Sequence, residues 1–134
     1  MRTVTAARVR PAGGEAYEIT IRDHQVLVDQ PREAGGEDAG PTPTELFVTS
    51  LAACVAYYAG QYLTRHGVSR EGLEVGAEFE MAADRPARVA AVRLTVRVPD
   101  GLPRERWPAL RAVASHCTVH NSLVLSPQVD ITLS

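Results

Sequence analysis

Two cysteines and two histidines are the residues of this chain best suited to redox or metal chemistry. Cys54 and Cys117 lie far apart in the sequence, and His116 and His120 stand on either side of the second cysteine. A thiol becomes nucleophilic when a nearby cation or a helix N-terminus stabilises its thiolate. In a reducing compartment two such cysteines have three interpretations, namely inert core residues, metal ligands or partners in redox chemistry.

The same four side chains define a metal hypothesis. Cys117 and His120 are separated by two residues, and with His116 and Cys54 they make a nitrogen and sulfur donor set that suits zinc. Structural zinc sites usually contain two closely spaced ligand pairs, whereas Cys54 is isolated inside a predicted helix. The sequence therefore favours a site without a metal or any other cofactor, with zinc as the alternative.

A long apolar helix must position Cys54. The pattern predicts this helix over residues 44–66, because Pro43 or Thr44 lies at its start and Gly67 follows its end. Residues 46–59 are apolar almost all the way round, so we expect the helix to be buried on most sides. A chain of 134 residues can hardly surround a helix of that length, which indicates a partner subunit.

The side of the helix that carries Cys54 is only half apolar. A polar half-stripe beside a cysteine indicates a pocket or an interface, whereas a packed core cysteine is the alternative. Helical spacing places five side chains near Cys54: Phe47, Leu51, Tyr58, Gln61 and Arg65.

Alternating patterns predict strands on both sides of the helix. A glycine- and proline-rich loop over residues 30–43 has a length that is often functional, although a flexible connector is the alternative. The hairpin over 72–99 is acidic on one strand and basic on the other, which predicts cross-strand charge pairs. The predicted elements are strands at 3–10, 15–22 and 26–28, the hairpin, a second helix over 103–115 and a last strand through Val129, Ile131 and Leu133.

Composition excludes several classes of protein. The 134 residues make one domain over 1–134, and the net charge of −2 disfavours bulk binding to nucleic acid. The most apolar stretch, residues 46–60, is short for a membrane span and is interrupted by polar side chains. Residues 1–10 are followed by Pro-Ala-Gly-Gly and not by the apolar run of a signal peptide. We therefore expect a cytoplasmic protein without membrane contact.

Two segments resemble the OsmC/Ohr family of osmotically inducible and organic hydroperoxide resistance proteins. Residues 29–63 carry a glycine-rich loop, then Pro43-Thr44-Glu45-Leu46, then a helix with one cysteine after small residues. Residues 116–123, HCTVHNSL, are similar to the C-terminal cysteine motif of the family. The spacing of His24 and Asp29, with GGEDAGPTP after them, resembles the general OsmC-like branch.

The resemblance implies an α+β fold in which antiparallel sheets wrap around a long central helix. The implied element order is βββ-α-ββ-α-β, in an intertwined homodimer. It also implies a thiol-dependent peroxidase that reduces organic hydroperoxides in oxidative-stress defence. Cys54 would be the peroxidatic thiolate, Cys117 would resolve its sulfenic acid as a disulfide, and a dithiol such as a dihydrolipoyl group would reduce that disulfide.

The family's enzymes use an arginine held by a glutamate beside the attacking cysteine. The candidates here are Arg32 in the loop, then Arg22 in a strand, together with Glu45. The resemblance and the helix stripe together nominate the substrate-binding residues Arg22, Phe47, Leu51, Tyr58 and His120. A non-enzymatic protein that binds a small molecule or senses redox state on the same fold is the alternative function.

Overall fold

The structure, a computed structural model, describes residues 5–134. These residues form two compact units, one that extends to Phe47 and one over Val48–Ser134. Both combine antiparallel strands with helical segments, which confirms the predicted α+β fold class. The prediction of a single domain stays a prediction.

Three short strands form the sheet of the first unit. They are β1 (Ala7–Pro11), β2 (Tyr17–Ile21) and β3 (His24–Val28), paired antiparallel in the order β1-β2-β3. All three predicted strands are present, although residues 3 and 4 of the first lie outside the described residues and the third begins earlier than predicted. Arg22 makes the tight β2–β3 turn with a left-handed φ of 50°.

The loop after β3 is ordered around one buried carboxylate. Asp29 is only 2% exposed, and its oxygens accept hydrogen bonds from the backbone N–H groups of Gln30 (2.7 Å), Glu37 and Ala39 (both 3.1 Å). The bonds from Ala39 and Gln30, helped by Glu37, hold the pKa of Asp29 below its ordinary value, against the opposing effect of burial. A Cβ on Gly36 would collide with the carbonyl of Gln30. The loop is therefore a built structure rather than a flexible connector.

Helix α1 (Pro43–Arg65) begins with a reciprocal side-chain cap. The Thr42 hydroxyl accepts a hydrogen bond from the N–H of Glu45 (3.0 Å), and the Glu45 carboxylate accepts one from the N–H of Thr42 (2.8 Å). This is a capping box with proline at the first helical position, where its missing N–H costs nothing. The helix ends before Gly67, which adopts a left-handed φ of 72° as predicted.

A two-stranded hairpin in the second unit carries the predicted charge pairs. Strand β4 (Glu74–Met81) pairs antiparallel with β5 (Val89–Arg97). Arg93 lies 3.2 Å from the carboxylate of Glu80, and Arg97 lies 3.5 Å from that of Glu74. All these groups are exposed, so each pair contributes less than about 1 kcal/mol, and the arrangement supports a solvated face rather than an anion site.

The C-terminal part of the second unit departs from the prediction. Helix α2 (Trp107–Ala114) is shorter than expected, because a 3₁₀ turn occupies its first predicted residues. An unpredicted helix, α3 (Thr118–Val124), follows Cys117. The predicted last strand is absent, and its side chains Val129, Ile131 and Leu133 are 74%, 87% and 92% exposed. Strands need a pairing partner, and this segment pairs with no other described strand.

Two hydrophobic clusters bury one side of α1 within the second unit, whereas the sequence predicts burial on most sides and Tyr57 is 57% exposed. One joins the C-terminal half of α1 to Leu102 and Leu110, and the other joins Leu51 and Val55 to Ala114 and Cys117. By length and composition alone α1 would also suffice to cross a membrane. A buried core helix can have the same length and hydropathy as a membrane-spanning helix, so these two properties do not distinguish them. The cytoplasmic location stays a prediction.

Candidate functional site

The fold of the second unit brings the two cysteines together. Cys54 lies in the middle of α1, and Cys117 immediately precedes α3. The backbone N–H of Val119, two residues after Cys117, donates to Cys54 Sγ at 3.5 Å, and the Cys54 side chain packs against the buried cluster that contains Cys117. Both are free thiols in one apolar cluster. Two cysteines that are distant in sequence therefore form one local pair.

The environment distinguishes the two thiols from each other. Cys117 is fully buried, and its Sγ accepts a hydrogen bond from the N–H of His120 at 3.4 Å, so it serves as the N-cap of α3. Burial raises the pKa of Cys117, the hydrogen bond to Cys54 raises it further, and the bond from His120 opposes both. Cys54 is half-buried. Cys117 is accordingly less acidic than an ordinary thiol.

Both histidines are engaged with backbone carbonyls. His116 Nδ1–H donates to the carbonyl of Ala112 at 2.7 Å, and His120 Nδ1–H donates to that of Ser115 at 2.6 Å. Within residues 5–134, no group of three or more His, Cys, Asp or Glu side chains is arranged to hold a metal ion. The four donors that suggested zinc therefore do not form such a group in this part of the chain, and the expectation of a site without a metal stays a prediction.

A polar contact beside the cysteines links α1 to α3. Tyr58 Oη lies 2.8 Å from Thr118 Oγ1, and Tyr58 is one helical turn beyond Cys54. The Tyr58 ring packs edge-on against Tyr57 and contacts the cluster that contains Cys117. Of the predicted binding residues, Leu51, Tyr58 and His120 therefore lie around the cysteine pair or its cluster.

An apolar cavity of about 760 Å³ opens beside this cluster. Arginines stand at one part of its lining, and the Arg104 guanidinium lies 4.5 Å above the ring of Trp107. A cavity of this size and composition suits an apolar or amphipathic organic molecule. Its lining consists of Leu51, Val55, Val92, Leu94, Val96, Val98, Arg104, Trp107, Pro108, Leu110, Arg111, Ala114, Ser115 and His120.

The remaining predicted site residues belong to the first unit. Arg22 is exposed at the tip of the β2–β3 turn, and Arg32 is exposed in a 3₁₀ turn of the ordered loop. Glu45 caps α1, and Phe47 is 45% exposed. The roles given to these four residues in catalysis or binding stay predictions.

Sequence reasoning missed the contribution of residues 118–119. The Thr118 hydroxyl and the Val119 N–H reach α1 only because α3 starts immediately after Cys117. A thiol is not among the side chains favoured at an N-cap, so the sequence contains no strong signal for a helix start there. The available signal was the motif itself, in which threonine directly follows the cysteine.

Comparison with known proteins gives a consistent family assignment. Residues 35–134 match the family model described as OsmC-like protein. None of the curated proteins matches the chain. The matched region contains both cysteines and the capping box residue Glu45.

Solved structures share the fold over most of the chain. A Psychrobacter arcticus protein named for osmotic stress and detoxification response superposes with a TM-score of 0.80 at 23% identity, covering 91% of this chain and 90% of that one. An organic hydroperoxide resistance protein OsmC from Legionella pneumophila gives 0.69 at 25% identity, covering 90% and 89%. OhrB, an organic hydroperoxide resistance protein of Bacillus subtilis, gives 0.62 at 21% identity, covering 90% of each chain.

Proposed function

The chain belongs to the OsmC-like family, and from that premise we propose that it is a thiol-dependent peroxidase that reduces organic hydroperoxides in oxidative-stress defence. One observation carries the proposal, namely that Cys54 and Cys117 lie in one cluster, joined by the Val119 N–H, beside an apolar cavity. Two similar structures are named for organic hydroperoxide resistance, which supports the same chemistry.

In the first step Cys54 is the nucleophile. Its thiolate attacks the terminal oxygen of ROOH, the O–O bond breaks, and RO⁻ leaves and takes up a proton as ROH. The carbon skeleton of the substrate is unchanged, while the Cys54 sulfur is oxidised to a sulfenic acid. The half-buried position of Cys54 and the N–H of Val119 directed at its sulfur support this role, because an amide donor stabilises a negatively charged sulfur.

In the second step Cys117 resolves the sulfenic acid. Its sulfur attacks the Cys54 sulfur, a disulfide forms, and the sulfenic hydroxyl leaves as water together with the Cys117 proton. A raised pKa keeps Cys117 protonated until this step, so it does not compete for peroxide. An external dithiol, of which a dihydrolipoyl group is the proposed example, then returns the disulfide to two thiols by exchange.

An arginine and a glutamate would complete the site. We assign these roles to Arg32, with Arg22 as the second choice, and to Glu45. A guanidinium beside Cys54 would favour the thiolate and bind the leaving oxygen, and a carboxylate would orient the guanidinium. In a homodimer either subunit would be able to supply the arginine.

The cavity supports an organic rather than an inorganic peroxide. Its lining is mostly branched aliphatic and aromatic, and an alkyl or aryl group that enters it leaves water. Removing only about 55 Å² of apolar surface from water is worth about 1.4 kcal/mol, which is tenfold in rate. We therefore expect kcat/KM for cumene hydroperoxide to exceed that for hydrogen peroxide by at least about tenfold.

A turnover assay tests the proposal. Purified protein is mixed with cumene hydroperoxide or hydrogen peroxide, with dihydrolipoamide as the reductant, and peroxide loss is followed for the wild type, Cys54→Ser and Cys117→Ser. We expect Cys54→Ser to lose at least about a hundredfold in rate, because serine is a far weaker nucleophile at this pH. Cys117→Ser should accumulate a Cys54 sulfenic acid that dimedone traps.

The outcomes separate the proposal from its alternative. Consumption of cumene hydroperoxide by Cys54→Ser at the wild-type rate would reject the assigned nucleophile. The same cavity also supports the second candidate function, a protein that binds a small apolar molecule or senses redox state without turnover. In that case apolar ligands should raise the melting temperature while both thiols remain titratable after peroxide treatment.

A further inference from the structure

Tyr58 and Thr118 form the side-chain contact that joins α1 to the start of α3. The two hydroxyl oxygens are 2.8 Å apart, and one can donate while the other accepts. Tyr58 follows Cys54 by one helical turn, and Thr118 follows Cys117 directly. The hydrogen bond therefore ties together the two segments that carry the sulfurs.

Four consecutive residues, 117–120, make contacts at the two sulfurs or directly beside them. Cys117 caps α3, Thr118 bonds Tyr58, Val119 N–H donates to Cys54 Sγ, and His120 N–H donates to Cys117 Sγ. The two N–H···S distances, 3.5 and 3.4 Å, are those of weak hydrogen bonds to sulfur. A shift of residues 117–120 by about 1 Å away from α1 would break the bond from Val119 to Cys54, whereas the bond from His120 to Cys117 lies within the segment and would move with it.

Apart from the Tyr58–Thr118 bond, helix α3 is held by Val119, which packs against the Cys117 cluster, and by side-chain hydrogen bonds to the carbonyls of residues 115 and 116. It is seven residues long, none of its residues is buried, and the segment after it has no regular secondary structure. A helix of two turns is not stable by itself in water, so its placement depends on contacts to the rest of the unit. The Tyr58–Thr118 bond is such a contact, and it lies at the end of α3 where the sulfurs are.

We infer that Tyr58 and Thr118 are positioning residues for disulfide formation between Cys54 and Cys117. Their hydrogen bond holds residues 117–120 so that the Cys117 sulfur stays within reach of Cys54 and the Val119 N–H stays directed at the Cys54 sulfur. Neither side chain is part of the lining of the apolar cavity. The inference rests on the proposed function, because it concerns the step that resolves the Cys54 sulfenic acid.

The test measures the rate at which the disulfide forms when diamide oxidises the reduced protein. Diamide takes two electrons and two protons from the thiol pair and needs neither peroxide nor an external reductant, so the assay works even for a protein without peroxidase activity. Tyr58→Phe removes only the hydroxyl and keeps the ring, and Thr118→Val replaces the hydroxyl oxygen with a methyl group. Thr118→Ser keeps that oxygen, and Tyr57→Phe removes a neighbouring hydroxyl that bonds Gln61 instead.

We expect Tyr58→Phe and Thr118→Val to slow disulfide formation about threefold to tenfold, the effect of one lost hydrogen bond. The double variant should be no slower than either single variant, since both changes remove the same bond. Thr118→Ser should restore the wild-type rate and Tyr57→Phe should keep it. In peroxide single turnovers the two slow variants should show more dimedone-trapped sulfenic acid.

Three results would overturn the inference. The first is disulfide formation at the wild-type rate in both Tyr58→Phe and Thr118→Val. The second is an additive double variant, which would show that the two hydroxyls act separately. The third is a wild type that forms no disulfide with diamide, because the sulfurs would then not be held in reach. Absence of peroxide turnover with normal diamide oxidation would instead reject the proposed function and leave the positioning role standing.

Discussion

Glu45 has two candidate roles that single substitutions can separate. Its carboxylate is half of the capping box that starts α1, and it is also the proposed partner of a catalytic arginine. Glutamine keeps an oxygen that can accept the bond from the Thr42 N–H, so it preserves the cap but removes the charge. A cap and a charge partner therefore respond differently to Glu45→Gln.

We expect Glu45→Gln to lower the free energy of unfolding by less than about 1 kcal/mol, because the cap is preserved. We expect it to reduce peroxide turnover by about tenfold, because it removes a charge-assisted bond to the arginine. Thr42→Ala is the matched control, because it should lower stability by about 1 kcal/mol through loss of the cap and leave turnover unchanged. Urea denaturation and the cumene hydroperoxide assay measure the two effects. Wild-type turnover in Glu45→Gln would assign the residue to the cap alone.

The cysteine roles illustrate what residue types indicate and what they leave open. The types and flanking residues of Cys54 and Cys117 indicated thiol chemistry, but nothing in the spacing brought them together. The pairing arises because α2 and the start of α3 pack on α1 in one cluster. The difference between the thiols is likewise a property of packing, because complete burial raises the pKa of Cys117.

Among the elements, the loop after β3 depends on ionised Asp29. Its carboxylate accepts three backbone hydrogen bonds, and these lower its pKa because they favour the charged form. A group whose folded pKa lies below its unfolded pKa stabilises the fold at pH above the unfolded value. That stabilisation is lost as the pH falls through the folded pKa.

We expect the loop to open selectively in acid. Hydrogen exchange of the Glu37 and Ala39 amides, corrected for the intrinsic pH dependence, should show constant protection above about pH 4 and falling protection below it. Asp29→Asn should reduce the protection of these two amides severalfold at neutral pH and remove its acid dependence. Equal protection in the variant and the wild type at neutral pH would contradict the role of the carboxylate.

The secondary-structure elements that can be predicted from the sequence are those determined by residues close together in the chain. The β4–β5 hairpin follows from alternating apolar residues with acidic and basic polar faces, and its Glu74–Arg97 pair realises that pattern. The approximate α1 boundaries follow from Pro43 and Gly67, whereas the Thr42 cap is seen only in the structure. Helix α3 was missed because it is short and starts at a cysteine, and its position depends on the tertiary contact between Tyr58 and Thr118.

At the scale of the whole molecule, the C-terminal segment has the alternating sequence pattern of a β-strand but forms no strand in the structure. Val129, Ile131 and Leu133 alternate as a half-buried strand would, yet all three are exposed. Alternation in a sequence specifies which side chains share a face, but it does not specify which strand edge accepts the segment. The two-stranded β4–β5 sheet offers such edges, and a sheet of two strands is marginal by itself.

These observations support the proposed homodimer, in which a second copy covers exposed apolar surface of the C-terminal segment. We expect the protein to sediment as a dimer at micromolar concentration. We also expect Ile131→Asp to raise the dimer dissociation constant at least about tenfold, because burying one isoleucine contributes about 1.5–3 kcal/mol. Thr132→Asp adds the same charge on the opposite face of the segment and should change the constant much less. Sedimentation velocity over a dilution series measures both. A wild type that remains monomeric at 100-fold higher concentration would reject the dimer, and equal effects of the two variants would remove Ile131 from its interface.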